Sequence, residues 1–351
     1  MAKRSARSLT TLAEVAAAAE VSIASASKVL RGIDRGTSPA TRTRILAAAE
    51  RLGYRRNLLV EGMQTGRSLT IGVVVPPYGE FTRRLADAIH AQCLRDGLIP
   101  IFHWASPVPR TGPDAEEADA RDERDVLDRL LNRRVDGLIL YPAADGALRS
   151  HLDECRTRGI PLVAIDRCPD PDLCDFIGTD DRDGILAAMV HLVGLGHRHF
   201  LHLGGEQRYA TYRQRATLTA EAAAAAGGTC HRHDIPNADL HRLLDHARAA
   251  LAAAPQATAV TLGSDVFAPA LYRAAQEAGR PIGQRLSVLG FAGLDLGLHL
   301  DPPLSTVAQD PAALGRQATR LLSERLRDGP QPPRRVILPA TLTLRASTGA
   351  P

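Results

Sequence analysis

From Leu69 onward the chain repeats one alternation, a short and continuously apolar segment followed by an amphipathic or charged stretch of helical length. The apolar segments are LTIGVVVP (69–76), LIPIFHW (98–104), VDGLILYP (135–142), IPLVAID (160–166), HFLHLGG (199–205), AVTLGS (259–264) and RLSVLGF (285–291). Stretches such as RRLADAIHAQCLRDG and YRAAQEAG lie between them. A strand that is apolar along its whole length is buried on both faces, the condition of a parallel sheet covered by helices. Seven such units exceed one ordinary sheet. The pattern therefore predicts an α/β, doubly wound core of two similar lobes with a cleft between them. Residues 107–125, rich in Pro, Asp, Glu and Arg, read as a loop leading into a charged helix rather than a domain linker.

The residues before Leu69 have a different texture. Thr11 followed three positions later by Glu14 fits a capping box, opening a helix with Leu12, Val15, Ala16 and Ala19 on one face. Ser22 is a natural N-cap for a second helix, Ile23 to Leu30, and only Glu20 and Val21 separate the two. That is the tight turn of a helix-turn-helix. Ser38 and Pro39 supply an N-cap and an N1 proline for a third helix ending near Gly53. Short three-helix units of other kinds share this pattern, so it does not decide the function alone.

Charge narrows the choice. Residues 1–67 hold 12 basic and 5 acidic residues, whereas the rest of the chain holds 31 basic and 34 acidic ones. A basic head on a mildly acidic body suits a polyanion-binding module fused to a second function. No run of about 18 apolar residues exists to span a membrane. The start, MAKRSARSLTTLAEV, lacks the apolar stretch of a secretory signal. Cys93, Cys155, Cys168, Cys174 and Cys230 are scattered without a CxxC pair, which fits reduced thiols and predicts a cytoplasmic protein.

Taken in order, several segments resemble the lactose-repressor-type family of bacterial regulators, which includes the purine and gluconate repressors. The head TLAEVAAAAEVSIASASKVLRG resembles that family's helix-turn-helix, and TRTRILAAAERLGYRRN its third helix. The body continues with TGRSLTIGVVVP, RRVDGLILYP, GIPLVAIDR, GTDDRDG, LVGLGHRHFLHLGG, VLGF, DPPLSTVAQD and LPATLTLRAST. The similarity covers nearly the whole chain. It implies a DNA-binding head over 1–56, a hinge over 57–67, and an effector-binding and dimerisation core over 68–351 resembling periplasmic sugar-binding proteins. Lobe 1 is expected near 68–168 and 302–331, and lobe 2 near 169–301 and 332–351. The function it implies is a sequence-specific transcriptional regulator, a repressor, acting as a homodimer on a near-palindromic operator and needing no cofactor.

In a helix-turn-helix the second helix enters the major groove with its N-terminal residues on base edges. Here these are Ile23, Ala24 and Ser25, with Lys28 one turn on. Ile23 and Ala24 can pack on a thymine methyl but make no bidentate hydrogen bond; partial burial of Ile23 is the plainer alternative. Ser22, Thr41 and Arg42 suit phosphates. By the resemblance, Asn57, Val60 and Met63 belong to a hinge helix in the minor groove, with Met63 as the apolar wedge. Arg56, Val60 and Gly62 depart from the family's hinge pattern. Glu20 stands where the family has a glycine that permits positive φ, at a strain of roughly 1 kcal/mol.

The resemblance places the effector-clamping arginine at Arg215. Ser264 and Asp265 stand for an Asn-Asp pair, and Phe81, Thr82 and Arg83 line the pocket after the first strand. Ala292 replaces an aspartate that bonds ligand hydroxyls. Losing that acceptor while keeping Arg215, with Arg83 and Arg84 also candidates for the cleft, tilts the expectation towards a sugar acid such as gluconate over a neutral sugar, and GFAGLDLG resembles the gluconate-repressor branch. Among other classes, no GxxxxGK[ST] loop or full dinucleotide fingerprint supports an enzyme. His197, His199, His202, His231 and His233 lack the paired cysteines or carboxylate of a zinc site, and no metal is expected.

Overall fold

The computed structural model describes residues 10–33, 36–56, 66–76, 79–104, 115–142, 149–168, 172–236 and 241–351. The expected hinge positions Asn57, Val60 and Met63 lie outside them. The chain divides into two compact units, Met1–Ser68 and Leu69–Pro351.

Among its described residues the first unit has three helices, α1 (Leu12–Ala18), α2 (Ile23–Leu30) and α3 (Pro39–Arg51). Each starts where its cap dictates. The Thr11 amide donates to Glu14 Oε2 at 2.6 Å and the Glu14 amide to Thr11 Oγ1 at 3.3 Å, closing the capping box. These bonds, the backbone one foremost, hold the Glu14 carboxyl below its usual range. Ser22 Oγ accepts from the Ser25 amide at 3.1 Å and Ser38 Oγ from the Thr41 amide at 3.2 Å. Glu20 has φ +53°, so the turn takes the left-handed conformation without a glycine. Val15, Ala19, Ala26, Val29, Ile45 and Ala48 form the small core between the helices.

The second unit holds two six-stranded sheets. Sheet order in the first is β11-β5-β4-β3-β1-β2 and in the second β12-β10-β9-β8-β6-β7. The strands are β1 (Thr70–Val75), β2 (Ile99–Trp104), β3 (Gly137–Leu140), β4 (Leu162–Ile165), β5 (Asp175–Asp180) and β6 (His199–Gly204). Then come β7 (Thr229–Asp234), β8 (Ala259–Leu262), β9 (Ser287–Ala292), β10 (Ser305–Ala308), β11 (Arg335–Pro339) and β12 (Thr341–Thr343). All pairings are parallel except β10 with β12. The covering helices are α4 (Glu80–Arg95), α5 (Ala115–Asn132), α6 (Arg149–Arg158), α7 (Asp181–Gly194), α8 (Ala210–Ala225), α9 (Leu243–Ala253), α10 (Ala268–Glu277) and α11 (Pro311–Asp328).

Strand β1 shows why its sequence is apolar throughout. Ile71, Val73 and Val75 pack with α4 and α11 on one face, and Val74 with α5 on the other. Gly72 allows the α5 face to close in, since a Cβ there would sit 2.7 Å from Leu130 and Leu138. Lobe 2 repeats the scheme. Leu201, Leu203 and Val260 meet α9 and α10, while Phe200, Leu289 and Phe291 meet α7 and α8.

The lobe boundaries differ from those expected. Strands β5 and β11 belong to the first sheet, so 172–180 and 335–339 join lobe 1. Strand β10 belongs to the second, so 305–308 joins lobe 2. The chain changes lobes at the C-terminal ends of strands, at Asp180–Asp181, Gln309–Asp310 and Ala340, rather than at the breaks between apolar runs. Strand β5, DFIGTD, begins and ends on aspartate, which hides it from a hydrophobic pattern. Among the described residues no helix is long and apolar enough to cross a membrane.

Candidate DNA-reading surface and effector cleft

On the head, α2 buries Ala26 and Val29 and turns its start outward. Ile23 is 53% exposed, so it is not a core residue of the three-helix unit. Ala24 and Lys28 are exposed beside it and Ser25 is half-buried. Ser25 Oγ lies 2.9 Å from Ser22 Oγ, so one of the two hydroxyls is already engaged as donor. Ser22 and Arg42 are exposed and Thr41 is half-buried, with Thr41 Oγ1 accepting from Ser38 Oγ at 2.9 Å. The arrangement is an apolar tip flanked by hydroxyls and cations. It can meet thymine methyls and phosphates but offers little bidentate base readout.

In the core, the C-terminal ends of both sheets face one another, and side chains from both lobes meet there. Lobe 1 brings Tyr141 from the end of β3 and Asp166 and Arg167 from the end of β4. Asp166 has φ +63°, and its Oδ2 accepts from the Tyr141 hydroxyl at 2.5 Å. Arg167 donates to the Pro142 carbonyl at 3.0 Å and lies 3.6 Å over the ring of Tyr209 from lobe 2 and 5.0 Å from that of Tyr141. Arg208 of lobe 2 pairs at 2.8 Å with Asp119 of α5, both largely buried. At the rim the Asp295 amide donates to both Glu80 oxygens at 2.9 Å, and Arg84 pairs with Glu80 at 3.5 Å.

Arg215 sits on the second turn of α8, buried, where Tyr212 precedes it by three residues and Tyr209 by six. Its Nε and Nη2 both reach Asp181 Oδ2 at 2.8 Å, Nη1 donates to the Gly263 carbonyl at 3.0 Å, and the guanidinium stacks 3.8 Å over Phe291. Burial pulls the Arg215 pKa down, but Asp181, Asp166 and Tyr212 outweigh it and leave it above its usual value. Burial likewise raises Asp181, with Arg215 opposing. Both Asp181 oxygens nevertheless accept hydrogen bonds, Oδ1 from Gln309 Nε2 at 3.4 Å, as an ionised carboxylate does.

The other expected effector residues fare unevenly. Phe81 is half-buried and touches the cores of both lobes, and Thr82 is buried on α4. Arg83 is not part of this cluster: it is 63% exposed and pairs with Asp87 one turn along α4. Successive positions on a helix point about 100° apart, so Arg84, not Arg83, reaches the rim. Ser264 caps a short 3-10 turn, Asp265–Phe267, through the Val266 amide. Asp265 is fully buried and its carboxylate is consumed by the Leu294 amide at 2.8 Å and Thr306 Oγ1 at 2.9 Å. Burial pushes its pKa up to about 6 against those donors. It holds the end of β9 in place rather than presenting an acceptor. Ala292 is buried at φ +111°, and its methyl group packs in the lobe 2 core without offering a polar atom.

Sequence reasoning missed Tyr141, Arg167, Asp181, Arg208, Tyr209 and Tyr212. The i, i+3, i+6 spacing of Tyr209, Tyr212 and Arg215 was a readable signal of one helix face. The histidines of the LGHRHFLH segment are hydrogen-bonded within lobe 2, His197 to Thr258 and Ser287, His199 to Thr229, and His202 to Thr261. Among the described residues one grouping has metal-type side chains, Asp128, His151 and Glu154; there His151 bonds Asp128 at 3.1 Å and Glu154 pairs with Arg158.

Comparison with known proteins places these features. Residues 11–57 match the model of the bacterial regulatory proteins of the lacI family, and residues 189–348 that of the periplasmic binding protein-like domain. A helix-turn-helix-type transcriptional regulator in the aml 5′ region of Streptomyces limosus is 32% identical over 324 residues, 90% of this chain and 88% of that one. The transcriptional regulator MalR of Streptomyces coelicolor is 29% identical over 349 residues, 97% of both chains. Among solved structures, the lac repressor dimer bound to operator and an anti-inducer superposes with a TM-score of 0.85 at 24% identity, over 97% of this chain and 100% of that one. A CelR–cellobiose complex does so with a TM-score of 0.68 at 25% identity, over 96% and 99%. The chain belongs to the lacI family of bacterial regulatory proteins and is a DNA-binding transcriptional regulator with a helix-turn-helix head and a periplasmic-binding-like core.

Proposed function

We propose that the protein is a homodimeric cytoplasmic repressor whose affinity for a near-palindromic operator is set by a neutral sugar in the interlobe cleft. The observation that carries this reading is charge balance. Three arginines, Arg167, Arg208 and Arg215, face three aspartates, Asp166, Asp119 and Asp181, among the rings of Tyr141, Tyr209 and Tyr212. Aromatic faces beside paired donors and acceptors suit a polyhydroxyl ring, which carries apolar C–H faces and no net charge. The expectation of a sugar acid rested on Arg215, Arg83 and Arg84 as unbalanced cations, and each has a carboxylate partner, Asp181, Asp87 and Glu80 respectively. The cellobiose in the CelR complex agrees with this reading.

In the head, Ile23, Ala24, Ser25 and Lys28 meet base edges, and Ser22, Thr41 and Arg42 fix the register on phosphates. One head covers one half-site, so two copies are needed. Calorimetry of the full chain with cellobiose, maltose and gluconate tests the cleft, and operator anisotropy with any ligand that binds tests the coupling. A response to gluconate with none to either disaccharide overturns the neutral-sugar reading.

A further inference from the structure

A cavity of about 140 Å³ lies in lobe 1 at the other end of the sheet from the cleft, where β4 and β5 begin and α6 and α11 end. Its apolar wall is Leu152, Cys155, Ile160, Leu162, Leu173 and Cys174. Burial pushes the Cys155 thiol up to about 11, so it is neutral at physiological pH and adds no negative charge. A cavity of roughly 150 Å³ lined by aliphatic and aromatic side chains accepts benzene, so this one has room for one ring or a branched chain of similar bulk.

The polar groups at its edge are unequally spent. Asp175, the carboxylate of the wall among the described residues, accepts from Arg325 Nε and Nη2 and from the Arg334 amide, each at 2.7 Å, so both of its oxygens are engaged. Arg325 Nη2 also donates to the Pro332 carbonyl at 2.7 Å. Nη1 of Arg325 has no hydrogen-bond partner among the described residues, and Arg156 stands exposed at the rim. What remains unspent is cationic and donor in character. A guanidinium edge is matched by a carboxylate.

We infer that lobe 1 carries a second ligand site, separate from the cleft, for a small apolar carboxylic acid whose body fills this cavity and whose carboxylate meets Arg156 and Arg325 Nη1. The site does not rest on the sugar reading of the cleft.

Titration calorimetry of the full chain with benzoate and with benzyl alcohol, its uncharged counterpart, tests it. Benzoate is expected to bind at millimolar concentration or below and about tenfold more tightly than benzyl alcohol. Arg156→Gln is expected to erase most of that difference while leaving benzyl alcohol unchanged. Cys155→Met, which fills the cavity, should abolish both; Cys174→Met serves if the first variant does not give native circular dichroism and operator binding. No heat with benzoate, equal binding of acid and alcohol, or benzoate binding that survives both methionine variants overturns the proposal.

Discussion

The two lobes share one sheet layout and each buries an arginine–aspartate pair of its own, but at opposite ends. In lobe 1, Arg325 meets Asp175 where the strands begin, one nitrogen on each oxygen at 2.7 Å. In lobe 2, Arg215 meets Asp181 where the strands end, with both nitrogens on a single oxygen and the other left to a 3.4 Å contact from Gln309. Equal burial therefore conceals unequal closure. The first pair is a two-pronged clamp between α11 and β5. In the second, the other oxygen takes a single longer bond from Gln309. A two-pronged pair with one nitrogen on each oxygen is the stronger and more geometrically specific of the two arrangements.

Four measurements can break or sharpen this contrast. Removing one partner from the two-pronged clamp has the largest expected effect: Asp175→Ala should cost about 3–5 kcal/mol in urea unfolding, because the buried Arg325 loses its anion and keeps only the Pro332 carbonyl. A loss below about 1 kcal/mol would contradict the clamp. Asp181→Ala should cost less, about 1–3 kcal/mol, since Arg215 keeps both the Gly263 carbonyl and its stack on Phe291. It should abolish the effector response while operator binding persists. If the two losses are equal, the distinction between the pairs fails.

The third measurement concerns acid. His202 of lobe 2 is buried, and burial first, then Arg232 and Arg215, pushes its pKa down from 6.5 to about 3. Between those values the unfolded chain binds a proton that the folded chain refuses. Its contribution is complete above the unfolded pKa and is lost as pH falls towards 3, at up to about 1.4 kcal/mol per pH unit. The His202 ring resonances should stay fixed from pH 8 to pH 5 by NMR, and a midpoint near 6 would show that the site is wet. The smallest effect is backbone strain. Ala292 ends β9 at φ +111°, at the place in lobe 2 that corresponds to Asp166 after β4 in lobe 1. Ala292→Gly should stabilise the protein by about 1 kcal/mol, read as a rise in Tm, and an unchanged or lower Tm would dismiss the strain.

The elements best announced by the sequence were those fixed by local chemistry. Thr11, Ser22 and Ser38 set the three helix starts, and doubly buried strands such as β1 and β4 were visible as unbroken apolar runs. Strands β5, β7 and β11 were hidden because aspartates, histidines or arginines occupy their ends and edges, where water or ion pairs satisfy them. Arg215 stood out in the sequence and its partner Asp181 did not. A buried cation demands an anion, but its partner is 34 residues away in sequence and only the fold brings the two together. Asp265 misled for the same reason: its chemistry suits a ligand, yet Leu294 and Thr306 use it up.

The chain passes between the lobes three times, at Asp180–Asp181, Gln309–Asp310 and Ala340, and the segment after the last passage returns to lobe 2. That tail still supplies β12 and Ser347, whose hydroxyl donates to the Val288 carbonyl and accepts from the Ser305 amide. Neither lobe is a contiguous stretch of the gene. Ending the chain at Ala340 would strip lobe 2 of an edge strand and a buried hydroxyl, and library screens for tolerated truncations should find none between Ala340 and Ser347.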